Sequence, residues 1–365
     1  MRFCKILHKS PAKLCAELPL LLLCMLLMAP LQLSALQEMP APDGQQRSGV
    51  GLVLSGGGAK GLAHIGVIRA LEENNIPIDY IAGTSMGALV GGLYATGKLD
   101  EAYEWLKTID SWEVFKMSDL HNVSMQGLLN GDYIFDRLRG FIGDVLIEDL
   151  PIDYCAIATN IDNGNEVVIR KGPLLEAIRM SVSMPVLFAP SKKNGHRYVD
   201  GGLTNGLPIN RVVRHKGDKL IAIDLDTYGT NSVKDMEQEI TSTFFSEKDA
   251  TRVVTNAMLS FTRGHSIFDT GLGVATGLAS PLISNFVKNS FSSSGSNLFR
   301  IFFNSFYIAL RQNKIAMRNA IKPDYYINID VKGNNTFSFT NAEEIHDLGY
   351  RQVKNALAGN GFTQL

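Results

Sequence analysis

The residue types able to do chemistry gather in two short glycine-rich turns. Gly83-Thr84-Ser85-Met86-Gly87 reads G-x-S-x-G. It follows an apolar run at 78–82 that predicts a strand and opens a stretch at 86–96 that predicts a helix ended by Gly97. Small residues around Ser85 permit the strained strand-to-helix turn that lifts a hydroxyl above a sheet. The helix behind it turns its positive end toward developing negative charge. That is the chemistry of a nucleophile attacking an acyl carbonyl. Upstream, Gly56-Gly57-Gly58-Ala59-Lys60-Gly61 lies between a predicted strand at 50–54 and a predicted helix at 62–74. Its glycines can bring several N–H groups to one point. A dinucleotide loop needs an acidic residue at the end of the next strand, where this chain has Gly83-Thr84-Ser85. A Walker loop needs Ser or Thr after its lysine, where this chain has Gly61. One turn can then supply the nucleophile and the other an oxyanion hole.

A serine hydroxyl is a poor nucleophile at neutral pH and needs a base. The candidate histidines are His64, His121, His196, His215, His265 and His346, and none combines a strand-end position with a matching acid. His196, on a predicted hairpin close to Asp200, is the best candidate for a Ser-His-Asp triad; His64 follows the glycine loop on the first helix. Asp200 fits the base role better. It ends a short strand at 198–199 and precedes Gly201-Gly202, which leave its carboxylate approachable. Strand carboxyl ends converge on one edge of a doubly wound sheet, so Asp200 can meet Ser85. Burial would have to raise its pKa before it could help to remove the serine proton.

Short apolar runs alternate with helical stretches, which predicts an α/β fold: three layers, α/β/α, around a mainly parallel central sheet. Further strands are expected at 154–160, 166–170, 220–225 and near 325–331, with a turn at Asp162-Asn163-Gly164. Helices are expected at 174–183, 297–320 and 342–357. The catalytic core is expected over 49–226 and is completed by 298–365. Between them, 227–297 reads as a rim insertion whose Phe268, Leu272, Leu278, Leu282, Phe286 and Phe291 could serve as a lid or touch a membrane.

Arg2, Lys5, Lys9 and Lys13 precede a leucine-rich run at 18–33, followed by a polar, proline-containing linker at 37–48. That order predicts a secretory signal over 1–36. The run falls short of the roughly 20 residues that span a bilayer, which favours cleavage over a permanent transmembrane helix. Cys4, Cys15 and Cys24 would leave with it, so Cys155 would remain alone and could form no internal disulfide. An exported chain of this kind suits a bacterial periplasm or outer-membrane periphery, or secretion. The formal net charge is −1, and no basic stripe interleaved with aromatics appears, so nucleic acid is not an expected partner.

Taken together, Ser55 to Gly61, Gly83 to Gly87 and Asp200-Gly201-Gly202 resemble, in type and order, the three signatures of patatin-like phospholipases of the bacterial kind, over about 50–208. The resemblance implies a Ser85–Asp200 dyad working without histidine, an oxyanion hole from Gly56, Gly57 and Gly58, and motif glycines at Gly61, Gly83, Gly87, Gly201 and Gly202. It implies no metal or organic cofactor, a phospholipid or other acyl-ester lipid as substrate, and peripheral membrane contact, with homo-oligomer formation left open. Lys60 takes the family's common basic position, to attract an anionic headgroup or to hold the loop. Two other readings stand beside it: a noncatalytic module binding anionic lipid through its glycine loops, and a Ser-His-Asp carboxylesterase.

Overall fold

The computed structural model describes residues 48–108, 131–185, 188–213, 215, 217–225, 298–334 and 338–361. The expected leader at 1–36, most of the linker, the rim insertion at 227–297, His121 and His265 lie outside the described residues.

Among the described residues eight strands form one mixed sheet: β1 (Val50–Leu54), β2 (Tyr80–Thr84), β3 (Asp153–Asn160), β4 (Glu166–Ile169), β5 (Ser191–Lys193), β6 (His196–Asp200), β7 (Lys219–Asp224) and β8 (Tyr325–Asn328). In spatial order β3-β2-β1-β7-β8 all run parallel, while β4 and β6 pair antiparallel with β3 and β5 extends β6. Every residue of β1 is buried, as a central strand covered on both faces requires. The second strand starts later than the apolar run suggested. Ile78 is buried, but the ladder pairs Gly51–Leu54 with Tyr80–Gly83, so β2 runs directly into Ser85.

Side chains alternate across a strand with period two, and here the alternation feeds two separate cores. Leu52, Leu54, Ile81, Ala156, Ile221 and Ile223 join one cluster. Its other side is made by helices α1 (Ala63–Glu73), α2 (Met86–Ala95), α3 (Leu99–Lys107), α4 (Asp132–Ile142), α5 (Leu174–Ser181) and α8 (Ala342–Ala356). Val53, Ala82, Cys155, Ile157, Leu220 and Ala222 face the opposite way, onto Leu207, Ile209, Val212 and Met317 of the long helix α7 (Leu298–Ala320). A four-residue helix, α6 (Gly202–Asn205), follows β6. The arrangement is the expected three-layer α/β/α fold. The C-terminal helix is bound tightly into it: a Cβ at Gly66 of α1 would stand 2.0 Å from the His346 carbonyl oxygen, and one at Gly349 of α8 would stand 2.1 Å from that of Ala63.

Candidate active site

The register of β3 brings the two chemical turns together. Ile157 sits opposite Thr84 on one edge and Val168 on the other, while Ala158 sits opposite Val167 and Asp200. Since β4 holds one edge throughout, β6 must continue the edge that β2 leaves. The C-terminal ends of β2 and β6 therefore meet head to head, and the residues at that meeting point are Ser85 and Asp200.

Ser85 lies between β2 and α2 with φ 55° and ψ −124°, in a left-handed region that is costly for a residue bearing a Cβ. The surroundings hold it there. Its N–H donates to Ser181 Oγ at 2.9 Å, and that hydroxyl donates to the Ile157 carbonyl oxygen at 2.5 Å. The Ser85 carbonyl accepts the amides of Ala88 and Leu89 at 2.9 and 3.1 Å, starting α2. Neither neighbouring glycine has room for a side chain. A Cβ at Gly83 would stand 2.5 Å from the Gly87 carbonyl oxygen, and one at Gly87 would stand 2.3 Å from that of Leu54.

Ser85 Oγ donates to Asp200 Oδ2 at 2.7 Å, and Asp200 Oδ1 accepts the Gly202 amide at 2.8 Å. Asp200 is 3% exposed. Burial pushes its carboxyl up to about 6, against the opposing pull of the Ser85 hydroxyl, the Gly202 amide and the Lys314 charge. At neutral pH it is thus ionised, while a far better proton acceptor than an exposed carboxylate. Gly201 packs on β3, where a Cβ would stand 2.1 Å from the Ile157 carbonyl oxygen. Thr84 Oγ1 donates to the Asn205 carbonyl at 2.7 Å and ties the two strand ends further.

The glycine loop lies against this pair, with one correction to the expected roles. The Gly56 amide donates to the Gly206 carbonyl at 3.1 Å, so it is occupied and is not an oxyanion donor. Gly56 instead allows close approach, since a Cβ there would stand 3.2 Å from Ser85 Cβ. Gly57 and Gly58 follow it, Gly58 at φ +57° opening the 3-10 turn Gly58–Leu62. At Gly61 a Cβ would stand 2.1 Å from Met86 Cγ, so the loop seats directly on the residue after Ser85. Lys60 is 7% exposed within that turn, which suits holding the loop better than reaching a headgroup.

Residues 52–213, which contain both turns and Asp200, match the family model of the patatin-like phospholipases. Over those residues the chain is similar to that family. An uncharacterised NTE family protein of Mycobacterium tuberculosis is 36% identical over 236 residues, 63% of this chain and 64% of its own length. This chain thus spans less than two thirds of that relative. Neuropathy target esterase sws of Drosophila melanogaster is 36% identical over 200 residues, 51% of this chain and 14% of its own. VipD from Legionella pneumophila superposes with a TM-score of 0.38 at 15% identity, covering 92% of this chain and 73% of its own, too loosely to add to the assignment.

The hydroxyl of Ser85 bonds Asp200, and the described histidines have other partners. His64 is fully buried and turns Nε2 to the Ser55 carbonyl at 2.9 Å; burial, foremost, pushes it down to about 4. His196 begins β6, four residues from Asp200 and so roughly 13 Å along the strand. It faces Asp162 at 3.9 Å. His215 pairs with Tyr80 and Asp218 near the start of β7, and His346 stacks on Tyr103. A cavity of about 500 Å³ lined by Asp132, Phe135, Arg139, Pro173, Glu176 and Arg179 has a charged wall and includes neither Ser85 nor Asp200.

Two contributors were missed in the sequence. Ser181 has its signal, a small polar residue closing an otherwise apolar helix face beside Ile178. Lys314 is a lysine four residues after Leu310 and three before Met317, on the face of α7 that should be apolar. Its partner is Asp224, the one charge in a strand that is otherwise apolar after Lys219.

Proposed function

We propose that this chain is a lipid acyl hydrolase of phospholipase A type, cleaving fatty-acyl esters through Ser85 and Asp200. The observation that carries the reading is the 2.7 Å hydrogen bond from Ser85 Oγ to a buried carboxylate, made by a serine at left-handed φ at the head of a helix. Ser85 Oγ attacks the ester carbonyl as its proton passes to Asp200 Oδ2. The amides of Gly57 and Gly58 receive the oxyanion, and the N-terminus of α2 adds positive potential. Collapse expels the alcohol, which takes the proton from Asp200. Water then attacks the acyl-Ser85 ester as its proton passes to Asp200, which returns it to the departing Ser85 Oγ as the fatty acid is released. No histidine takes part.

The same reading gives the chain a cleaved leader at 1–36, export to the periplasm or outer-membrane periphery, and peripheral contact with a bilayer through 227–297. Among the described residues no helix is long and apolar enough to cross a membrane. Purified Ser85→Ala protein tests the chemistry. It should lose hydrolysis of a short-chain ester and of phospholipid vesicles by on the order of 10⁴-fold or more, and lose labelling by a fluorophosphonate. Retained hydrolysis refutes the reading. A wild-type protein that binds anionic vesicles but neither hydrolyses nor labels would be the binding module instead.

A further inference from the structure

Lys314 is 3% exposed, yet the reaction above makes no use of it. Its ammonium donates to the Gly56 carbonyl oxygen at 3.0 Å and to Asp224 Oδ1 at 3.2 Å. Asp224 is fully buried, and its Oδ2 accepts the Tyr326 hydroxyl at 3.0 Å. One face of α7 delivers the lysine. A Cβ at Gly202 would stand 3.1 Å from Leu310, Asn313 donates to the Leu203 carbonyl at 2.8 Å, and Met317 enters the second core. Positions i, i+3, i+4 and i+7 share a helix face, so this single face reaches both the Asp200 turn and the glycine loop.

A buried ion pair is a weak source of stability. The desolvation of two charges offsets their attraction, and apolar replacements of similar volume are often neutral or better. What this pair does locally is grip one peptide group. A trans peptide is planar, with its N–H directed opposite to its C=O. Holding the Gly56 oxygen from one side therefore sets the direction of the Gly57 N–H on the other. The Gly56 amide is pinned as well, on the Gly206 carbonyl. A cation on the carbonyl oxygen also polarises the amide and strengthens its N–H as a donor.

We propose that Lys314, braced by Asp224 and Tyr326, is a positioning residue that orients and polarises the Gly56–Gly57 peptide so that the Gly57 N–H meets the oxyanion formed at Ser85. The inference rests on the serine-hydrolase reading of the site. It makes α7, which lies beyond the residues matched by the family model, part of the catalytic assembly.

Lys314→Met alone would strand a buried Asp224 charge, so the informative protein is Lys314→Met/Asp224→Asn. Tyr326→Phe, which keeps both charges, is a milder companion. With a soluble short-chain ester, the double variant should keep its KM within about twofold and lose kcat by ~10–100-fold, with Tm near wild type; Tyr326→Phe should lose less. Ser85→Ala is measured alongside. An inert Ser85→Ala protein with undiminished kcat in the double variant overturns the role of Lys314 and leaves the serine reading standing. So does a loss that appears equally in KM. An active Ser85→Ala protein overturns both. Should the double variant fail to fold, unchanged kcat in Tyr326→Phe overturns the proposal.

Discussion

Replacing Asp200 by asparagine should abolish activity and, at neutral pH, make the protein more stable. Asparagine keeps the local geometry: its oxygen can still accept the Gly202 amide, and its NH₂ can donate to Ser85 Oγ where Oδ2 now accepts. What disappears is a charge buried against desolvation. The carboxyl titrates at about 6 in the folded chain against an ordinary 3.8. Between those values the folded protein holds a proton that the unfolded chain has released. Stability therefore falls as pH rises through the window and is fully reduced above about 6. The difference corresponds to about 3 kcal/mol at neutral pH, an order-of-magnitude figure.

Urea unfolding of wild type and Asp200→Asn at about pH 8 and about pH 4 measures it. The variant should lead by about 3 kcal/mol at the higher pH and by almost nothing at the lower. His64 cancels in that difference but shapes each curve. Pushed down to about 4 from 6.5, it favours folding above 6.5 and withdraws that contribution, also about 3 kcal/mol, as pH falls toward 4. In wild type the two groups oppose each other across that range. In Asp200→Asn only His64 is left, so its acid limb should be steeper. The acid limb of wild-type kcat/KM should fall about tenfold per pH unit below about 6, as ionised Asp200 is lost. A variant less stable than wild type at about pH 8, or a difference that does not change with pH, refutes the argument that Asp200 is a strained, desolvated base.

Two glycines should respond very differently to alanine. Gly87→Ala puts a methyl 2.3 Å from the Leu54 carbonyl oxygen and should cost roughly 3 kcal/mol or more, whereas Gly97→Ala, at φ +71° with nothing within 4 Å, should cost only about 1–2 kcal/mol; chemical denaturation separates them. Ser181→Ala removes the acceptor of the Ser85 amide and the donor to Ile157, and should cost about 1–3 kcal/mol by the same assay.

The parts of the site legible in the sequence are those where local backbone chemistry dictates residue type. Gly83, Gly87 and Gly201 each back onto a carbonyl within 2.5 Å of an added Cβ, so only glycine serves, and the motifs show it directly. Strands β1, β3 and β7 were legible because burial on both faces leaves continuous apolar runs. The start of β2 was not, because Ile78 is buried without pairing and so extends the apolar run below the ladder. Helices α3 and α4 went unassigned. In α3 the buried Leu99, Ala102, Tyr103 and Leu106 have helical spacing, but they are interleaved with Asp100, Glu101 and Glu104, so the apolar face is narrow. The occupied amide of Gly56 could not be read at all, since its acceptor, Gly206, is distant in sequence and contributes only a carbonyl.

Lys314 is the instructive failure, because each half of its pair was visible and the pairing was not. Asp224 interrupts an apolar strand, and Lys314 interrupts the apolar face of a helix ninety residues later. A buried charge requires a partner, so two such interruptions of opposite sign predict a contact between β7 and α7 even without a motif. That contact matters for where the functional unit ends. The family match stops at 213, yet the Gly56 peptide is held by a side chain at 314 and the Gly202 turn is packed by one at 310. Turns that need glycine at fixed places keep a recognisable pattern, whereas a helix that must supply only one lysine and an apolar face does not. If Lys314 positions the oxyanion loop, a chain cut after β7 would keep every motif residue and lose most of its rate. Comparing that truncation with Lys314→Met/Asp224→Asn would separate loss of the fold from loss of the grip on Gly56.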